Sequence, residues 1–132
     1  MPVIVEWYTP EHTILYHRFI APWTWEEYAH SEAQTRTLLD TVPHKVDLIL
    51  DFKEMGRLPG NTFMYLRQSA ITVHANQGIV VIIGVNVLLR MIGSIMENLY
   101  PRAAKDRFMA KDLSDALRII AEVKRSRSQS TT

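Results

Sequence analysis

Apolar residues are concentrated in two short runs near the middle of the chain. Val46–Phe52 and Gly78–Ile83 are almost continuously apolar, rich in β-branched side chains and bounded by turn-forming residues. Runs of this kind are typical of strands that are buried on both faces of a sheet. The segment between them, Phe63–Ala75, is long enough to be a crossover helix, which predicts that the two strands are parallel neighbours or near-neighbours.

The amino-terminal part of the chain predicts an antiparallel pair of strands followed by a helix. Val3–Tyr8 and Thr13–Phe19 have strand character and are joined by a short polar link that contains a proline. Thr24 followed three residues later by Glu27 matches a capping box, which predicts that a helix begins here. Helical spacing continues until Val42-Pro43 closes the element.

The carboxyl-terminal part predicts two more helices around a short strand. Val87–Tyr100 is predicted to be helical, Arg107–Ala110 to be the last strand, and Asp112 to cap a final helix. Lys124–Thr132 has no apolar residue and is expected to be a disordered basic tail after a single domain at 1–123. The predicted fold is thus α/β, with a mixed β-sheet of about five strands and four helices.

Two sets of apolar residues belong either to the core or to an interface, and the sequence leaves both assignments open. Trp23 and Trp25, at the entry of the first helix, form either a hydrophobic staple onto the core or an exposed anchor for a partner. The helix Val87–Tyr100 has more apolar residues than packing on one sheet face needs. Its expected core stripe consists of Leu88, Met91, Ile92, Ile95 and Leu99. Further apolar side chains, among them Leu89 and Met96, are covered either by neighbouring helices or by a second copy in a homodimer or another partner.

Composition and charge exclude several classes of protein. The chain has 132 residues, a formal net charge of +1 and no cysteine, so nothing calls for a nucleic-acid partner and no disulfide or thiolate site can form. No secretory signal is recognisable at the amino terminus. The most apolar window, Gly78–Leu89, is interrupted by Asn86 and Arg90, so no membrane span is expected. The expected location is the cytoplasm.

Candidate chemistry is sparse, and we expect neither an enzyme, a metal nor a cofactor. The five histidines lie on five different segments, and no phosphate-binding, dinucleotide-binding or nucleophile motif is present. Asp51, at the end of the central strand, is the best placed carboxylate. It is either a base or metal ligand or, in the interpretation we prefer, an acceptor of hydrogen bonds from the loop amides.

The order of elements resembles the STAS domain of SpoIIAA-like anti-sigma factor antagonists, a bacterial regulatory family. The resemblance covers roughly Val3–Val123. It depends on the element order, the strand end Leu48–Phe52 and the closing segment Phe108–Leu117. It implies a regulatory protein-interaction module whose partner, an anti-sigma factor or kinase-like regulator, contacts the loop Lys53–Thr62 and the start of the following helix.

The same loop departs from the family pattern. The phosphorylated antagonists carry serines before this helix, whereas here Asn61 stands near the position of the phosphorylated serine and Thr62 is the adjacent hydroxyl. A phosphate on Thr62 would meet the helix amino terminus, with Arg57 close in sequence, whereas the simpler reading makes Thr62 a helix cap. Gly60, together with Gly56, adds a weak signal for an anion-binding nest. Asp51, Arg57, Gly60, Asn61 and Thr62 are therefore the predicted binding or regulatory residues.

Two other functions remain as alternatives. The first is a STAS-like protein that binds a small ligand (an anion, a nucleotide or a lipid) near the loop Lys53–Thr62 or between the second and third predicted helices, where the methionines would suit an adaptable pocket. These methionines are Met55, Met64, Met91 and Met96. The second is an enzyme of unrecognised type, which requires Asp51 and a histidine to converge in a cleft.

Overall fold

A computed structural model of the protein describes residues 3–57, 60, 64, 74–85, 87–99 and 106–130, without the side chains of 87–89, 92, 96 and 128–130. Five strands and three helices lie in these residues. In chain order they are β1 (Val3–Trp7), β2 (Ile14–Phe19), α1 (Trp25–Leu39), β3 (Val46–Asp51), β4 (Gln77–Ile83), α2 (Val87–Leu99), β5 (Arg107–Ala110) and α3 (Leu113–Ser130).

The strands form one mixed sheet in sequential order, from β1 to β5. β1 pairs with β2 in antiparallel orientation, and every later neighbour pair is parallel. The predicted antiparallel pair, the parallel central pair and the α/β class are confirmed. Because β2, β3 and β4 are parallel, their carboxyl ends lie along one edge of the sheet.

Helices cover both faces of the sheet. On one face, Ile49, Val81 and Ile83 form a buried cluster with Ala116 and Ile120 of α3. On the other face, α1 contributes to a second cluster, which comprises Leu15, Leu39, Val46, Leu48 and Val80. The near-continuous apolar runs of β3 and β4 follow from this arrangement, because successive side chains enter opposite cores.

The predicted caps of α1 and α3 are confirmed. The Glu27 N–H donates to Thr24 Oγ1 over 3.2 Å, and the Thr24 N–H donates to Glu27 Oε1 over 3.1 Å, which completes the capping box of α1. At the start of α3, Asp112 Oδ1 accepts the N–H of Asp115 over 2.9 Å. These contacts satisfy backbone donors that the first turn of a helix leaves without an internal acceptor.

One prediction about the helices is wrong, and another lies almost entirely outside the described residues. The prediction that the chain frays from Lys124 was wrong, since α3 continues to Ser130 and Arg127 forms an ion pair with a buried carboxylate of β3. The predicted helix Phe63–Ala75 lies almost entirely outside the described residues. Its last two positions, His74 and Ala75, are not helical.

Asn76 directly precedes β4. Its side-chain amide donates to the carbonyl oxygens of Leu39 and Val42, at 3.1 and 3.0 Å. Asn76 therefore satisfies carbonyl groups at the end of α1, a helix that precedes it by more than thirty residues.

The stripe expected to bury α2 is largely exposed. Met91, Ile95 and Leu99 have exposed fractions of 59%, 47% and 55%. The interpretation of these three residues as core was wrong. The side chains of Leu89 and Met96, the predicted interface residues of this helix, lie outside the described part of the structure.

Candidate functional site

The carboxyl end of β3 carries a buried pair of polar side chains. Tyr16 lies opposite Ile49 in the β2–β3 register, two residues before Asp51, so the side chains of Tyr16 and Asp51 point to the same face. The Tyr16 hydroxyl donates to Asp51 Oδ2. Only 8% of Tyr16 and 6% of Asp51 are exposed. The two groups therefore form a hydrogen-bonded pair inside the sheet edge.

The remaining contacts of Asp51 come from the loop. The Lys53 N–H donates to Asp51 Oδ1 over 3.0 Å, and Lys53 Nζ lies 3.5 Å from Asp51 Oδ2. The preferred interpretation of Asp51, an acceptor for a loop amide, is confirmed. Burial and the hydrogen bond to Asp51 raise the pKa of Tyr16, which keeps the phenol protonated as the donor of this pair.

Three hydrogen bonds fix the root of the loop, residues 52–56, to its neighbours, and a fourth lies within the root. The Phe52 N–H donates to the Ile83 carbonyl over 2.9 Å, and the Met55 N–H donates to the Phe52 carbonyl over 3.1 Å. The segment before α1 supplies two more bonds. They are Ala21 N–H to the Glu54 carbonyl at 2.8 Å and Trp23 Nε1–H to the Met55 carbonyl at 3.0 Å. Residues 52–56 are thus held by β4 and by the chain that enters α1.

Two glycines make this close packing possible. Gly56 has a φ of +63°, and a Cβ at this position would lie 2.6 Å from the Cβ of Ala21. Gly84, just after β4, has a φ of +74°, and a Cβ there would lie 2.5 Å from the backbone nitrogen of Lys53. Side chains are disfavoured at both positions for steric and conformational reasons. The sequence alone identified Gly56 only as a weak anion-nest residue.

Beyond this root, the loop is exposed where it is described. Arg57 and Gly60 are exposed, and a Cβ added to Gly60 would meet no atom within 4 Å. Met64 is 57% exposed. Asn61 and Thr62, the two other predicted regulatory residues, lie outside the described residues. The structure therefore places Asp51 in the fixed root and Arg57 and Gly60 on the exposed continuation.

The tryptophans at the entry of α1 belong to the core. Trp23 and Trp25 are each 5% exposed, and their rings meet edge to face at a centroid distance of 4.9 Å. They pack with Phe19, Phe52 and Met55. The alternative of exposed partner anchors is therefore wrong for Trp23 and Trp25. They instead pack against Phe52 and Met55 of the loop root.

A buried ion pair at the opposite edge of the sheet was missed by sequence reasoning. Asp47 is 1% exposed and accepts the Ile79 N–H over 2.9 Å. Arg127 Nη2 lies 2.7 Å from Asp47 Oδ1. A Cβ on Gly78 would overlap this pair, 2.6 Å from the Arg127 nitrogen. The available signal was a carboxylate within an apolar strand, which requires a partner when buried.

His17, a residue of β2, is buried against α1 and its ring is neutral. Its Nε2 lies 2.8 Å from Thr35 Oγ1, and the Thr35 hydroxyl donates to the Ser31 carbonyl. Thr35 therefore accepts from His17 Nε2–H. Burial lowers the pKa of His17 to about 4, and Nδ1 has no hydrogen-bond partner among the described residues. His17 faces α1 whereas Asp51 faces the other side of the sheet, so the two do not converge.

His74 also has a structural role. Its Nδ1 accepts the Asn76 N–H over 2.9 Å, and its Nε2 lies 2.7 Å from Asp40 Oδ1. The ring thereby connects the end of α1 with the start of β4. Both ring nitrogens have partners within the chain, so neither is directed at a ligand.

The described residues also bear on the ligand and metal alternatives. Met55 is 3% exposed in the aromatic core, so it does not line an open pocket. A surface depression of about 230 Å³ is lined by Val3, Glu26, Glu27 and His30, none of which belongs to the loop. Within 3–57, 60, 64, 74–85, 87–99 and 106–130, no three acidic, histidine or cysteine side chains could hold a metal ion together.

In the same ranges, no helix has both the length and the apolar character needed to cross a membrane.

Comparisons with protein-family models, with curated proteins and with solved structures find no match to this chain.

Proposed function

We propose that this chain is a STAS-like regulatory domain that works without catalysis, in the cytoplasm, by binding a protein partner. The contact surface is the loop 53–62 together with the residues that follow it. The sequential strand order and the helix after β5 support the resemblance. The observation that carries the proposal is the loop root, residues 52–56. Hydrogen bonds hold this root in place, and the residues described after it, Arg57 and Gly60, are exposed.

The contacts of the loop root favour recognition over chemistry. The carboxylate oxygens of Asp51 interact with Tyr16 and Lys53, and the pair with Tyr16 is buried. A general base needs a carboxylate that reaches a substrate proton, and a nucleophile needs a base beside it. Asp51 instead stabilises the conformation in which the loop leaves the sheet. A preformed loop root reduces the ordering cost of binding.

The exposed side chains indicate the chemistry of the partner. Arg57 provides a guanidinium group and Met64 an adaptable apolar side chain. A partner that offers a carboxylate and an apolar residue fits this combination. The resemblance suggests an anti-sigma factor or a kinase-like regulator as the class of partner. Binding does not require phosphate on Thr62 in this proposal.

Affinity capture from cells of the native host tests the proposal with matched variants. Arg57→Glu and Met64→Glu should each reduce the recovery of the same partner protein at least tenfold relative to the wild type. Lys124→Glu makes the same charge change as Arg57→Glu on an exposed residue of α3 and should leave recovery unchanged. Thr62→Ala should also retain the partner. Equal recovery by all folded variants would contradict binding through this loop.

A further inference from the structure

An apolar stripe runs along the exposed side of α2. Met91, Ile95 and Leu99 are spaced four residues apart, so their side chains follow one another on one side of the helix. About half of each side chain is exposed, as given above. At 1.5 Å per residue the stripe is about 12 Å long. We call these three residues the outer stripe. Exposed apolar rows of this kind usually mark a contact surface.

The outer stripe is symmetric about its central residue. Ile95 lies four residues from both Met91 and Leu99. If a second copy packs antiparallel across a two-fold axis at Ile95, then Ile95 meets its counterpart and Met91 meets Leu99 of the other copy. Each partner residue is apolar and of similar volume. This is the self-complementarity that a two-fold interface requires.

The charges of α2 are compatible with antiparallel pairing. The helix has no acidic residue in its first turn and no basic residue in its last turn, so its own side chains do not compensate its dipole. With the axis at Ile95, Leu99 at the negative end of one helix lies beside Met91 of the other, about 6 Å along the axis from that helix's positive end. The charged residues Arg90 and Glu97 lie on the side away from the outer stripe, at about 100° of rotation per residue. No like charges therefore meet across the axis.

We propose that two copies of this chain associate through the outer stripe, in antiparallel orientation, with the two-fold axis at Ile95. Three half-exposed side chains bury much less surface than the roughly 800 Å² per partner of a standard interface. The dimer is therefore weak, with a dissociation constant on the order of 10 to 100 µM. These residues differ from the loop residues, so the dimer and the proposed partner binding are separate claims.

Single cysteines give the sharpest test because the chain contains none of its own. Under mild oxidation, Ile95→Cys should form a disulfide-linked dimer, whereas Glu97→Cys, on the other side of α2, should remain monomeric. In an equal mixture of Met91→Cys and Leu99→Cys chains, mixed dimers should clearly exceed the half of all linked product that random pairing gives. Preferential like-with-like linkage would overturn the antiparallel geometry, and equal linkage at Ile95 and Glu97 would overturn the interface.

Sedimentation velocity across about 10 to 200 µM tests the same surface without cross-linking. The wild type should shift from monomer towards dimer, Ile95→Glu should remain monomeric, and Glu97→Arg should behave as the wild type. Circular dichroism checks that Ile95→Glu is folded. A wild type that is strictly monomeric over this range overturns the proposal. If Ile95→Glu loses the dimer but still captures the loop partner, only self-association depends on α2.

Discussion

The ion pair between Arg127 and Asp47 gives a quantitative prediction about how α3 is attached to the sheet. Asp47 is 1% exposed, accepts the Ile79 N–H over 2.9 Å, and lies 2.7 and 3.4 Å from two nitrogens of Arg127. Arg127→Met removes the guanidinium and leaves the buried Asp47 carboxylate without this positive charge beside it. Removing one member of a fully buried pair costs about 3 to 5 kcal/mol.

The expected loss is smaller than that limit for two reasons. The Arg127 side chain is 33% exposed, so water reaches this side of the pair, and the Ile79 N–H still donates to Asp47. We therefore expect Arg127→Met to lower the free energy of unfolding by about 2 kcal/mol. For a domain of this size, the loss corresponds to a decrease in Tm of roughly 5 to 10 °C.

Urea unfolding at neutral pH, followed by tryptophan fluorescence, measures this loss. Arg125→Met is the matched control, because Arg125 is an exposed cation of the same helix and should cost less than about 0.5 kcal/mol. The double variant Asp47→Asn/Arg127→Met has no buried charge and should be more stable than Arg127→Met alone. Equal stability of Arg127→Met and Arg125→Met would refute the assigned role of the pair.

Three further predictions concern other buried or capping groups. Because burial lowers the pKa of His17 from 6.5 to about 4, the unfolded chain binds a proton that the folded chain excludes. Stability should be complete above pH 6.5 and fall by about 3 kcal/mol as the pH drops to 4, and His17→Gln should remove most of this dependence in urea unfolding at stepped pH. Tyr16, whose pKa is raised by burial and by Asp51, should remain protonated until the protein unfolds in alkali. A spectrophotometric titration should therefore find the same number of tyrosines ionising in folded Tyr16→Phe as in the wild type. Thr24→Ala should cost about 1 kcal/mol in thermal unfolding, and Thr37→Ala, on the exposed side of α1, much less. Equal costs would argue against the capping box.

Local patterns in the sequence predicted the features that depend on neighbouring residues. The apolar runs of β3 and β4, the short strand Arg107–Ala110 and the capping box at Thr24 are all determined within a few positions of the chain. Asp51 was likewise assigned correctly, because a strand-end carboxylate and the next loop amide are close in any such turn.

The features that were missed depend on contacts between distant residues. The extension of α3 depends on Arg127 reaching Asp47, eighty positions earlier, and no local pattern in a polar segment indicates such a partner. Asn76 completes the end of α1 in the same long-range manner. The apolar face of α2 was recognised, but periodicity gives the direction of a stripe only relative to its own helix. Whether Met91 faces the core or solvent depends on how the helix docks.

Native mass spectrometry of the protein purified from its own host tests the central claim most directly. The proposed interaction module predicts a complex with a second protein that is present for the wild type and absent for Arg57→Glu. Retention of a small molecule by both proteins, without any protein partner, would contradict the account and favour the ligand-binding alternative.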